Sequence, residues 1–387
     1  MTGQEVVNRS SSLGWIYVVV SDTRSPGPRQ PVPSWLPGSA VATYGSLLTV
    51  VGILLNVTVL CSSLTAGKSS TVPPLRRLLT ANLAVVQLTA AVLVIPAGAV
   101  TEAVGGWVFG GQACRAWLVG QVLLIAGVMW SVVALDVHCF LRQVAPRRCY
   151  AVQADHHPRA IAGITVVSSW VVAGLASLPI GLAVGTGQAV SSKNVNTPVL
   201  EDVCAINLSR RDVIAQSLTA FLLPGAVGLV ITTTSVLKMV GVKGRRECLG
   251  SVMAVAGVSA ACVLLWTPFF VLYVLLPFCG DRLCVDPAMW TLFAWLGHSS
   301  VVVSPSVWLI DSAVRSDVRH FASLCRRRCC CRGSHDNVTS SASSLSDGHV
   351  VDESSGLMSV TKYQIHRPSE QHRRSPTDGP SELKLSA

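Results

Sequence analysis

Charge is what this chain has least of. Only 13% of its 387 residues are Asp, Glu, Lys or Arg, against roughly 25% in an ordinary soluble protein, which excludes water as the solvent for most of it. A cleavable signal peptide is not expected either. The one early apolar patch, "WIYVVV" at 15–20, is too short and too poorly flanked by positive charge, so the first long apolar run is expected to act as an uncleaved insertion signal. No nucleophile-base pair or metal-ligand spacing is found. An enzyme, a cofactor and a metal centre are therefore not expected. The chain has no inverted repeat, few charges within its apolar runs and no paired broken helices, which counts against a transporter or channel.

What the chain does have is apolar length. Seven runs, 39–64, 78–101, 115–141, 160–184, 213–239, 249–277 and 287–310, each meet the roughly 18 to 20 residues that a helix needs to cross a hydrocarbon core of about 30 Å. The fold expected is an all-α membrane protein, a bundle of seven transmembrane helices. Lys68, Arg76 and Arg77, then Arg142, Arg147, Arg148 and Arg159, then Lys243, Arg245 and Arg246, and finally Arg315, Arg319 and "CRRRCCCR" at 325–332 fall on alternate connections. Short positive loops stay cytoplasmic, which puts the N-terminus outside and the C-terminus inside. The net charge of +10 is then a topology signal that favours anionic membrane lipid as partner and not nucleic acid. Four parts follow: an extracellular segment 1–38, a bundle 39–311, an amphipathic helix with its Cys/Arg cluster 312–332, and a cytoplasmic tail 333–387.

The thirteen cysteines sort by side of the membrane. Cys114 and Cys204 face the oxidising exterior, and pairing them would staple the loop between spans four and five over the bundle; free cysteines at loop edges are the alternative. Cys279 and Cys284, in "CGDRLC", bound a short outer loop with the same two alternatives. Cys325, Cys329, Cys330 and Cys331 follow the amphipathic stretch "SAVRSDVRHFASL" and fit reversible palmitoylation, whereas zinc binding lacks the matching CxxC pairs. Asn8 in "NRS" and Asn207 in "NLS" are candidate glycosylation acceptors, while Asn56 lies inside a span and Asn337 on the cytoplasmic side. The Ser-rich tail has few bulky apolar residues and is expected to be disordered, as a phosphorylated arrestin contact or as a plain flexible tail.

The order of landmarks resembles that of the rhodopsin-like G-protein-coupled receptors, nearest in style to the aminergic members, over about residues 40–325. Asn56 in "GILLNV", "ANLAVVQLTAAVLVIP" ending at Pro96, "WVFG" before Cys114, Trp170 with Pro179, "FLLP" ending at Pro224, "LLWTPFF" and "WLGHSSVVVSPSVW" fall in the family's order. The resemblance implies a plasma-membrane receptor that takes an extracellular small-molecule or peptide ligand and couples to a heterotrimeric G protein or arrestin. It implies a cavity formed by Gln121, Ile125, Gln216, Ser217, Trp266, Phe269, Phe270, Tyr273, Trp295 and His298. It also implies hinges at Pro224, Pro268 and Pro305, since a proline frees a backbone carbonyl within a helix.

Departures from the pattern fall on its switches. Counting from Cys114, the family's Asp-Arg-Tyr lands on His138, Cys139 and Phe140, and its next proline on Pro146. The sodium-site Asp corresponds to Gln87, and the Asn and Tyr of NPxxY to Ser304 and Trp308. Gln121 stands where amine receptors carry the Asp that meets an ammonium, which makes a monoamine ligand doubtful. Asp136 lies within span three with the loop arginines as expected partners, as a structural group or as a substitute switch. Glu102, near the outer end of span two, is expected as a solvated rim acid, with a rim carboxylate for the ligand as the alternative. Two functions are carried forward: an orphan signalling receptor with atypical switches, and a signalling-silent protein that modulates a partner receptor or scavenges ligand.

Overall fold

A computed structural model describes residues 17–20, 37–66, 70–144, 157–185, 189–191, 204–240, 246–275, 278 and 287–335. Helix α1 runs Gly38–Thr65. Helix α2 runs Pro74–Thr89 and Ile95–Val104 across a π turn at Ala90–Val94. Helices α3 and α4 run Gly110–Val144 and Pro158–Gly185. Helix α5 runs Arg210–Ser217 and Leu223–Val240 across a second π turn, Leu218–Leu222, and α6 runs Arg246–Leu275. Helix α7 is Pro287–His298 with Ser300–Trp308, and α8 is Ser312–His335. Among the described residues six helices are each long and apolar enough to cross a membrane, or up to seven if α7 and α8, bent by 91° from one another, count as one span.

In α1 the inward stripe is Val41, Gly45, Leu48, Gly52, Asn56, Val59 and Ser62, spaced by three and four residues as a helix face requires. Its other face is equally apolar, with Leu47 59% and Leu54 63% exposed. A helix apolar on every side needs a second apolar medium, and here that is lipid.

Helices α1 to α5 extend beyond their apolar runs at both ends. Span five begins at Arg210 and not at 213 because Ser209 and Asp212 form a capping box: the Ser209 hydroxyl accepts from the Asp212 N–H at 3.2 Å, and Asp212 accepts from the Ser209 N–H at 3.3 Å. These polar residues satisfy the first turn's orphan donors, so hydropathy misses a turn that hydrogen bonding makes. Arg76 and Arg77, counted above as loop charges, likewise belong to the first turns of α2. Pro158 at the start of α4 costs no hydrogen bond there.

Polar ties cross the bundle at its waist. Asn56 donates to the carbonyls of Gly52 and Val301, both at 2.8 Å, which joins α1 to α7. Trp170 donates to Asn82 at 3.1 Å and Asn82 to Ser131 at 2.9 Å, joining α4, α2 and α3. Asn56 is 1% exposed and closed to glycosylation.

A small sheet is added to the expected all-α bundle. Strands β1 (Tyr17–Val20), β2 (Ala189–Ser191) and β3 (Cys204–Leu208) pair in the order β1-β3-β2, with β1 parallel and β2 antiparallel to β3. The patch at 17–20 is thus strand, and only its pairing with a segment almost 190 residues away, Tyr17 opposite Ala205, reveals it. The Cys114–Cys204 disulfide, Cα atoms 5.6 Å apart, fastens β3 to the start of α3 and bears out that pairing. Asn8, Cys279, Cys284 and residues 336–387 of the tail lie outside the described residues, as do the side chains of Asn207 and Cys329–Cys331. Cys325 is free and exposed on α8.

Candidate functional site

At the disulfide end, α3, α4, α5 and α6 surround a cavity lined by Leu118, Gln121, Val122, Ile125, Ile180, Gln216, Ala220, Phe269, Phe270 and Tyr273. Gln121 and Ile125 are one turn apart on α3, and Phe269, Phe270 and Tyr273 present one side of α6 just past Pro268. The Tyr273 hydroxyl donates to the Gln216 side-chain carbonyl at 2.9 Å. Phe270 stacks on Phe221 with ring centroids 4.4 Å apart and meets Phe269 edge to face at 5.5 Å. Among the described residues no carboxylate lines this space. Its volume is about 30 Å³, room for one or two waters and far below the roughly 300 Å³ or more of an open ligand pocket.

Six of the ten expected cavity residues therefore line one space, and four do not. Ser217 turns back to donate to the Val213 carbonyl at 2.7 Å, as hydroxyls in helices do. Trp266 lies beneath the cavity, 5.8 Å from Phe269 and 5.2 Å from His298 between ring centroids. Trp295 and His298 continue this aromatic row, with Tyr44 of α1 at 6.3 Å from Trp295. Leu118, Val122, Ile180 and Ala220 went unnoticed, being apolar residues that nothing in the sequence separates from lipid-facing neighbours. Glu102 departs from expectation too: it is 6% exposed, and its Oε1 has no hydrogen-bond partner among the described residues.

The opposite end holds the altered switches. His138 is buried, while Cys139 and Phe140 are half-buried, Phe140 beneath the Lys238 ammonium at 5.1 Å. Asp136 accepts from Ser259 of α6 at 3.0 Å, which corrects the expected pairing with loop arginines: α3 turns it into the bundle, where a short hydroxyl on the facing helix reaches it first. Gly228 of α5 makes room, since a Cβ there would lie 3.2 Å from the carboxylate. Gln87 is 1% exposed, and Ser304 sits 3.4 Å from the Cys262 sulfur. Pro268 and Pro305 lie inside α6 and α7.

Beside these residues is a group that the sequence did not disclose. Arg76 on α2 and Asp311, just past the last span, form an ion pair at 2.7 Å with both side chains 3% exposed. The Arg76 guanidinium also lies 5.3 Å over the Trp308 ring. Asp311 further accepts from Ser251 of α6 at 3.0 Å and from the Ala313 N–H at 2.9 Å. Burial pushes the Asp311 carboxyl up, but the Arg76 charge and these hydrogen bonds outweigh it and hold the group below its ordinary range. One carboxylate thus ties α2, α6 and α8 together. Arg76 and Asp311 are 235 residues apart, and no local pattern announces such a pair.

Comparison with known proteins places these features. The family described as "7 transmembrane receptor (rhodopsin family)" matches residues 55–308. The D(1) dopamine receptor of Carassius auratus is 25% identical over 296 residues, 64% of this chain and 78% of that receptor. The D(1A) dopamine receptor of Didelphis virginiana is 25% identical over 303 residues, with 64% of this chain and 65% of that receptor covered. The D(1B) dopamine receptor of Homo sapiens is 21% identical over 357 residues, 77% of this chain and 73% of its own length.

Proposed function

The chain belongs to the rhodopsin family of seven-transmembrane receptors, and we propose that within it this protein is a receptor for a neutral ligand and not for an amine. The observation that carries this is the cavity chemistry. Gln121 and the Gln216–Tyr273 pair offer amide and hydroxyl groups to a bound molecule, but no full negative charge. Transferring an ammonium into such a site without a counter-charge is costly. A ligand with hydrogen-bonding groups and an apolar or aromatic body matches what is present.

The closed cavity adds a condition. Any ligand of ordinary size has to displace the Phe269–Phe270 and Tyr273–Gln216 contacts, and that rearrangement would reach Trp266 directly beneath. Displacement of Trp266 would in turn bear on α7 at His298. The disulfide end is the extracellular one in this proposal, and the Arg76–Asp311 end meets a heterotrimeric G protein or arrestin in the cytoplasm. The Ser251–Asp311 bond then takes over a task for which Cys139 lacks the guanidinium: holding α6 against its neighbours until the ligand acts.

Gln121→Asp tests the ligand class. In a cell second-messenger assay the wild type should not respond to a panel of monoamines. The variant, at equal surface level, should acquire a monoamine response, and its monoamine affinity should exceed that of the wild type by at least about tenfold in a binding assay, the effect of a single restored charge contact of about 1.4 kcal/mol. A wild type that already responds to monoamines would overturn the proposal.

Cys139 favours a second function, that of a signalling-silent receptor that modulates a partner. A thiol cannot reach or pair as the family's arginine does. Cys139→Arg should then create G-protein activation that the wild type lacks, with surface expression unchanged. Ligand-independent or ligand-driven activation by the wild type would eliminate it.

A further inference from the structure

Among the described residues the side-chain amide of Gln121 makes no hydrogen bond, although the residue is only 5% exposed and lines the closed cavity. A buried amide in that state costs free energy until something in the cavity answers it. It presents an N–H donor and a C=O acceptor side by side. Across the space on α5, Gln216 is 3% exposed, and its side-chain carbonyl is already taken by the Tyr273 hydroxyl at 2.9 Å. Its amide nitrogen remains as a second donor.

The rest of the lining limits what can carry the matching groups. Phe269, Phe270 and Tyr273 present aromatic rings to the cavity, with Phe269 and Tyr273 nearly parallel, 15° between planes and 5.9 Å between centroids. A flat ring packs well against such faces. Among the described residues no Lys or Arg lines the space, so a carboxylate or phosphate would be buried there without a counter-charge. A lone hydroxyl meets one of the two Gln121 groups at a time and leaves the other unanswered. The trans amide of a peptide chain points its N–H and C=O to opposite sides, and one glutamine cannot take both. A lactam within a ring is held cis and carries its N–H and C=O on one edge.

We propose that the ligand is a flat heterocycle with a lactam edge. Its N–H donates to the Gln121 carbonyl, and its C=O accepts from the Gln121 amide and, through a second lone pair, from Gln216. The ring body lies among Phe269, Phe270 and Tyr273. This assignment rests on the neutral-ligand proposal above and narrows it. Two parallel hydrogen bonds between a side-chain amide and a planar ring edge are an established recognition geometry. A space of about 30 Å³ has room at rest for water within reach of the amide, and a ring that cannot reproduce water's hydrogen bonds loses affinity on displacing it.

The test uses the purified full chain and a matched pair of probes, 2-quinolone and 1-methyl-2-quinolone, which differ at the lactam N–H. Affinities come from thermal-melting dose series. The wild type should bind 2-quinolone at least about tenfold more tightly than its N-methyl derivative, the effect of one buried hydrogen bond. In Gln121→Leu the ratio should fall to about one, which separates the lost hydrogen bond from the bulk of the methyl group. If that variant does not fold, Gln121→Met takes its place. No binding of either probe, equal binding of the pair by the wild type, or a preference that survives in the variant would overturn the lactam assignment. A neutral ring bound without regard to its N–H would leave the neutral-ligand proposal standing, whereas a wild-type response to monoamines would remove both.

Discussion

Asp311→Asn is expected to destabilise the protein by about 3–5 kcal/mol, the cost of leaving one partner of a buried ion pair uncompensated, and to raise basal signalling. Arg76 would keep its charge at a position 3% exposed with an amide in place of the carboxylate. Ser251→Ala separates the two effects. It removes only the α6 contact to Asp311, costs about 1 kcal/mol as a single hydrogen bond, and should still raise basal activity. Arg76→Met with Asp311→Leu should recover most of the lost stability, since apolar groups of similar volume replace buried pairs at little cost, yet keep the high basal signal. Detergent melting curves and ligand-free second-messenger levels read the two quantities. Equal basal activity in all three variants and the wild type would refute the proposed hold on α6. The pH dependence has a defined sign. Because the folded carboxyl titrates below its ordinary range, its contribution is complete above the unfolded carboxylate value. It is lost as pH falls from there through the folded value. Asp311→Asn should flatten that acid limb.

Gly297→Ala should cost about 3 kcal/mol, at the upper end for overpacking by one methyl group. A Cβ at this position would lie 2.4 Å from Trp266 Cε3 and 2.6 Å from Cδ2. These atoms belong to a rigid indole that is itself boxed by Phe269, Phe270 and His298, so no flexible chain end can yield. Either α7 withdraws from α6 or the indole turns. Trp266→Leu placed in the Gly297→Ala background should restore part of the stability, whereas a merely additive second loss would show that the indole is not the obstacle. Gly174→Ala on α4 is the control. Nothing lies within 4 Å of its added methyl, and the change should be neutral or stabilise the helix by up to about 1 kcal/mol.

The spans were legible because each is an unbroken apolar run, and the pocket's polar members because Gln121, Gln216 and Tyr273 keep family spacing. The helix ends were less so: the capping box of Ser209 and Asp212 is polar and falls outside any hydropathy window. Trp295 and His298 keep the spacing as well, but α7 turns them toward α1 and Trp266 and away from the cavity; side-chain direction is not a property of spacing. Arg76 was visible only as a positive charge near a loop, and Asp311 not at all, because their significance lies in a contact between distant segments. Asp136 shows the same limit from the other side. Its cost was evident, but its partner Ser259 could not be chosen among several hydroxyls without the helix rotations.

The parallel pairing of β1 with β3 has a mechanical consequence. A pull on the chain ahead of Tyr17 loads four residue pairs, Tyr17 with Ala205 through Val20 with Leu208, in shear along the ladder. Whatever tension the ladder passes on is shared between the Cys114–Cys204 bond to the start of α3 and the Ser209 link to the start of α5. The first element to yield under such tension is the short strand, which would act as a fuse that leaves the helices unstrained.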